Sequence, residues 1–400
     1  MSATPRSVGP GGYRPVPRVA NTLLRPAARL QTLDADAIVD AARRATGLSD
    51  FGGEDFREPL GVLTEDLRAH PPSPLGRVLI RLTLTKALAN RLRVVAAQRA
   101  RSEAPADGAS APMVIVGWHR SGTTLLHNLL AALPGFRFLP LYRLAEPVSS
   151  LTERVKMWLA LQGTWTIAPE LRDIHQQHVS GPEEDWTLMM GALCVEGFVM
   201  HWNVPGYRRW LDGCDFDPAY QFFRSAVEVA ATQDEPGRLV LKDPAHLTAL
   251  RSLIGAFPNA RLIWTHRDPA TMVASFASLS AIHHRSMYGV YDPHRAGRAS
   301  LDRCVHALRR GIQSRDAIGE DRLVDIAYRR LRNDPIGVVL DICDRFGIEV
   351  TDGGLRAVTE RLQELEAGRR STHVYSLAKW GLDQQTLADA VSFYDRSRYL

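Results

Sequence analysis

The chain has 400 residues, 45% hydrophobic and 23% charged, with a formal net charge of +5. That length holds one large domain or two smaller ones; the mild positive balance suits a small anionic ligand, and the absence of a basic block interleaved with aromatics argues against nucleic acid. No apolar run approaches the roughly 18 residues of a membrane span, no signal-peptide core stands at the start, and Cys194, Cys214, Cys304 and Cys343 form no Cys-x-x-Cys, so the expectation is a cytoplasmic protein with reduced thiols.

In chain order, residues 1–30 are rich in Pro, Gly and Arg and read as a flexible arm or a strap over another surface. A helical N-terminal lobe follows over 31–105. Its first helix, about 34–48, repeats Ile38, Val39, Ala42 and Ala45 on one face with Asp34 or Asp36 as cap. Further helices are predicted over about 57–69 and 76–100, and 101–111 is a linker. The short β-branched run from Met113 leads into Gly117, after which Thr123 opens a helix. Phe138 to Tyr142 reads as extended, and about 151–235 as a mainly helical insertion rich in Trp, Met and His. Such residues usually build core, yet they also line adaptable apolar pockets.

Strands are predicted at 238–242, 261–265 and 323–327, each followed by a helical pattern. Strands alternating with helices imply an α/β, P-loop-type three-layer core with a mostly parallel sheet. Ligands then bind at the carboxyl ends of the strands. Gly117 to Thr124, Lys242 to His246, and Arg267 with Asp268 all lie just past strand ends and should converge on one crevice.

The spacing Gly117-x4-Gly122-x-Thr124 fits a phosphate loop opening a helix, where N–H groups and the dipole favour an anion. Thr123 stands where a nucleoside-triphosphate loop carries lysine, which argues against phosphoryl transfer from ATP. Two rival classes follow from the loop alone: a P-loop kinase or nucleoside triphosphatase, and a nucleotide-binding module without catalysis. His175 and His178 have the spacing of paired imidazoles, but no third ligand is evident and no metal is expected.

Taken together, Gly117–Thr124, Lys242-Asp243-Pro244, Arg267-Asp268-Pro269 with Ser275, and Tyr328 ahead of Asp334-Pro335 resemble the sulfotransferase family that uses 3′-phosphoadenosine 5′-phosphosulfate (PAPS). The likeness is to its bacterial branch, similar to the tyrosyl-protein and carbohydrate sulfotransferases, and spans roughly residues 112–380 of a domain taken as 112–400. It implies that Arg120, Ser121, Gly122, Thr123 and Thr124 hold the 5′-phosphate, that Arg267 and Ser275 hold the 3′-phosphate, and that Tyr328 lies near the adenine. By the same resemblance Arg370 closes over the 3′-phosphate, and Lys242 stabilises charge between phosphate and sulfate. Glu184, or next Glu183, heads the acidic motif and would be the base, with His246 its rival because imidazole titrates near neutrality. His119 departs from the smaller residue usual there. The implied reaction is in-line sulfuryl transfer from PAPS, leaving 3′-phosphoadenosine 5′-phosphate (PAP), to a hydroxyl of a small-molecule, lipid or carbohydrate acceptor.

Overall fold

A computed structural model describes residues 14–101, 110–148, 152–174, 177–231, 237–368 and 376–400. Four helices lead: α1 (Pro15–Leu30), α2 (Ala35–Thr46), α3 (Arg57–Ala69) and α4 (Pro74–Arg99). Asp34 caps α2 through the Ala37 N–H, and Ser73 caps α4 with Pro74 in its first turn. Helix α1 corrects the expectation of a flexible arm over residues 15–30; residues 1–13 lie outside the described set. Its prolines sit at the first turn or on the exposed side, and Asn21 is buried and accepts the Leu75 N–H at the head of α4.

The core then opens with β1 (Met113–Val116), α5 (Thr123–Leu130) and β2 (Phe136–Arg137). The predicted extension to Tyr142 stops early, because Pro140 turns the chain into α6 (Leu141–Ala145). The helical insertion contains α7 (Thr152–Ile167), α8 (Leu171–Ile174), α9 (Trp186–Met189), α10 (Glu196–His201), α11 (Pro205–Gly213) and α12 (Asp217–Ala231). After β3 (Arg238–Lys242) come α13 (Leu250–Ala256), β4 (Arg261–His266), α14 (Pro269–Tyr288) and α15 (Pro293–Ser314). Helix α14 outruns its expected end near residue 280, since apolar spacing continues through Ile282 and Gly289 in the left-handed region stops it. The chain closes with β5 (Leu323–Ala327), α16 (Tyr328–Asn333), α17 (Pro335–Arg345), α18 (Asp352–Ala367), α19 (Gln384–Ala390) and α20 (Arg396–Tyr399).

The five strands lie in the order β2-β3-β1-β4-β5, all parallel. Burial on both faces explains why β1 reads as an unbroken apolar run. Alternate residues feed two layers: Val114, Leu241 and Trp264 join the cluster with α4, α12 and the N-terminal helices, while Ile115, Val240 and Ile263 join that with α5 and α17. The sheet therefore anchors the carboxyl ends of β1, β3, β4 and β5 at one edge of the molecule. Among the described residues no helix is long and apolar enough to cross a membrane.

Candidate active site

The loop after β1 is held tightly against β4 and α16. Gly117 has φ of 138°, and a Cβ there would sit 2.5 Å from the Thr265 carbonyl oxygen. Gly122 has φ of 98°, and a Cβ would meet the Tyr328 ring at 2.8 Å. Arg120 takes φ of 71° without being glycine, a costly conformation that its surroundings enforce. The first intrahelical bond of α5 runs from the Leu126 N–H to the Gly122 carbonyl, so the first-turn amides of Thr123 and Thr124 precede the helical ladder and suit an anion, while the Ser121 N–H is bonded to the Trp118 carbonyl. Thr123 and Thr124 both line the adjoining cavity. Ser121 differs from expectation: its hydroxyl is fully buried, bonded to the Trp118 carbonyl at 2.6 Å and to Thr265 Oγ1 at 2.7 Å. It fastens the loop rather than facing a ligand.

Two arginines converge over this loop from different strand ends. Arg120 Nε donates to Ser275 Oγ on α14 at 3.1 Å, and Arg267 donates to the Arg120 carbonyl at 2.8 Å. The Arg267 guanidinium lies 4.0 Å from the centre of the Tyr328 ring. Ser275 is buried, whereas Arg120, Arg267, Tyr328 and Arg332 reach the cavity. Arg370 lies outside the described residues, but the following segment returns to this corner, where Ser376 and Leu377 share a hollow with Arg267 and Asp268.

The acidic segment is pinned to the end of β3 by reciprocal bonds. The Lys242 N–H donates to Asp185 Oδ2 at 2.9 Å, and the Asp185 N–H donates back to the Lys242 carbonyl at 3.2 Å. Lys242 Nζ lies 3.1 Å from Glu184 Oε1 and 3.8 Å from Glu183 Oε1. Burial works against the Lys242 ammonium, yet Glu184 and Glu183 outweigh it and hold its pKa above the ordinary lysine value. Glu183 and Glu184 border the cavity, with the lysine one layer behind them.

His246 is not at the cavity. It is fully buried, with Nε2 2.9 Å from Asp185 Oδ1 and Nδ1 2.8 Å from the Tyr220 hydroxyl. The turn over Pro244–Ala249 swings it behind the strand end, which removes it as rival base. Burial disfavours its charged form, but Asp185 outweighs that and raises its pKa. Asp185, Asp243 and His246 bring carboxylate and imidazole atoms within 4.8 Å of one another. Asp243 also accepts the Ala245 N–H, so the cluster works as an internal brace for the acidic segment. His246→Ala should lower stability by about 2–4 kcal/mol, read from chemical denaturation, with nucleotide affinity unchanged. A loss of turnover without a loss of stability would return it to the chemistry.

The cavity holds about 400 Å³. Away from the loop its wall is mixed: Leu171, Trp186, Met200 and Leu279 stand beside Thr164, Gln177, Glu183 and Glu184, with His201 and His283 packed edge to face at 4.2 Å. His119 lines the cavity and packs on Phe276 at 4.9 Å. Its enclosure pushes the imidazole down to about 4, burial being the main cause. Below its ordinary value near 6.5 the unfolded chain takes up a proton that the native ring resists. This stabilisation is complete above pH 6.5 and is lost as pH falls toward 4. His119→Asn should therefore flatten the fall of stability between those pH values; an identical slope would contradict the assignment.

A profile described as the sulfotransferase family matches residues 112–352, which include every strand of the sheet and the cavity arginines Arg120, Arg267 and Arg332. The chain is 24% identical over 302 residues to omega-hydroxy-beta-dihydromenaquinone-9 sulfotransferase Stf3 of Mycobacterium bovis and of Mycobacterium tuberculosis, covering 70% of this chain and 73% of that protein. Sulfotransferase STF1 from Mycobacterium tuberculosis H37Rv superposes with a TM-score of 0.75 at 28% identity, covering 90% of this chain and 98% of the other. Sulfotransferase STF9 from Mycobacterium avium shares the fold with a TM-score of 0.80 at 24% identity, over 90% and 95% of the two chains. With a parallel P-loop sheet, a glycine-bounded anion loop and arginines gathered at the strand ends, the chain belongs to the sulfotransferase family.

Proposed function

We propose that the sulfuryl donor is PAPS and that the acceptor is a hydroxyl on an apolar small molecule or lipid. The observation carrying this reading is the chain of contacts Ser275–Arg120–Arg267–Tyr328 beside a loop that has Thr123 in place of a phosphate-binding lysine. Amides of the loop and the Thr123 and Thr124 hydroxyls would hold the 5′-phosphate, Arg267 the 3′-phosphate with Ser275 behind it through Arg120, and Tyr328 the base. The donor supplies an activated sulfuryl group; the acceptor oxygen forms the new S–O bond as the bond to phosphate breaks. Glu184 takes the acceptor proton. That step removes the carboxylate charge nearest Lys242, leaving the ammonium to favour the negative charge developing on the departing phosphate.

The apolar part of the wall, Leu171, Trp186, Met200 and Leu279, supports an apolar acceptor that carries a hydroxyl, and the similarity to a sulfotransferase named for a menaquinone points the same way. On this reading residues 31–105 and about 151–235 shape the acceptor end and 112–400 form the transferase domain. The test is incubation with labelled PAPS and a panel of hydroxylated isoprenoids, sterols and sugars, read by mass spectrometry. Sulfated isoprenoid or sterol products are expected. Label on sugars alone would overturn the acceptor class, and product only from ATP with magnesium would overturn the donor.

A further inference from the structure

Helix α1 divides into three sectors around its axis. Pro17, Asn21 and Ala28 are buried against the protein. Val16, Val19, Leu23 and Leu30 make an opposite stripe that faces outward, with Leu23 72% and Leu30 83% exposed. Between these sectors stand Arg18, Arg25 and Arg29, all exposed, and the helix carries no acidic residue. Helix α1 touches α7, whose Val155, Trp158 and Leu159 are likewise exposed, Trp158 by 53%. The far end of α7 reaches the active-site cavity at Thr164. Glu170, just beyond it, pairs with Arg14 at the start of α1 and lies 2.6 Å from Arg285 of α14.

We propose that the exposed faces of α1 and α7 dock the protein onto an anionic bilayer surface, beside the mouth of the cavity. An apolar stripe flanked by arginines is the pattern of a helix lying in the headgroup layer, and α1 is about 24 Å long at the usual rise. An exposed Trp on the neighbouring helix fits the same interface. A second copy of the chain is a poorer occupant. Pro26 lies on the stripe, and two such helices would face arginines with no acidic partner on either. The docking face deepens the reading of a lipid acceptor, on which its purpose rests, but its occupancy is measured without donor or acceptor.

The experiment is flotation of the full chain with vesicles of phosphatidylcholine alone or mixed with phosphatidylglycerol. Binding to the mixed vesicles is expected, weakening as salt rises. Leu23→Asp and Trp158→Asp should each cut it about tenfold or more, from loss of one buried apolar side chain and insertion of a charge. Arg18→Glu with Arg25→Glu should abolish the preference for phosphatidylglycerol. Circular dichroism and PAP calorimetry establish that each variant is folded. Absence of flotation, or flotation untouched by these substitutions, overturns the proposal, as does a dimer that Leu23→Asp converts to monomer in a protein that ignores vesicles. PAP binding that persists in that case leaves the donor assignment standing.

Discussion

Lys242→Met should lower turnover by about 10²–10³-fold with little change in donor affinity, since the charge that it opposes develops in the transition state. The same substitution should cost about 3 kcal/mol of stability, because the largely buried carboxylates of Glu183 and Glu184 lose the cation beside them. The two effects can be separated. Adding Glu183→Gln removes one of the stranded charges while leaving the base Glu184 in place, so the double variant should recover much of the denaturation midpoint yet no turnover. Joint recovery would make Lys242 a structural cation only, and a single variant with normal turnover would remove it from the mechanism.

Arg267→Ala should weaken PAP binding by about 100-fold, the effect of deleting a charge-assisted contact to phosphate together with the group that fixes the loop. Here the loss exceeds that of a surface arginine, because Arg267 also binds the Arg120 carbonyl and covers the Tyr328 ring. Arg267→Lys keeps the charge but loses the planar stacking and the directed bond, so it should recover only part of the affinity. Isothermal calorimetry reads both variants. Wild-type affinity in Arg267→Ala would exclude it from the nucleotide site.

The parts of this site that were legible in the sequence are those fixed by short spacing. The glycines at 117 and 122 announce their loop because each occupies a conformation, and a close approach, that a side chain would spoil. Arg267 lies just past a strand end, so alternation of βα units was enough to bring it to the loop, whereas Ser275 on the following helix stood out only through the family resemblance. His246 misled for the same reason: four residues beyond Lys242 reads as the same crevice, but a tight turn reverses the side chain toward Tyr220. Ser121 misled because hydroxyls in such loops suit phosphate, whereas this one answers a neighbouring strand, at Thr265.

What could not be read depends on contacts distant in sequence. His201 and His283 meet only when α10 packs on α14, and neither lies in a local pattern. The brace formed by Asp185, His246 and Tyr220 draws on three separate segments. Helix α1 was hidden by its proline and arginine content; what orders it is the surface of α4, to which Asn21 supplies a cap. The linkage of Arg120 to Ser275 is also a product of packing, although both residues stood out individually.

The most direct test of the central claim is calorimetry of the wild-type protein with PAP and with ADP, in the presence and absence of magnesium. The nucleotides share adenosine and a 5′-phosphate but differ in the placement of the second phosphate, which in PAP would meet Arg267. Binding of PAP at least about 100-fold tighter than ADP, consistent with an arginine contact to phosphate, is predicted. Equal affinity for the two, or preference for a magnesium nucleotide, would contradict the account.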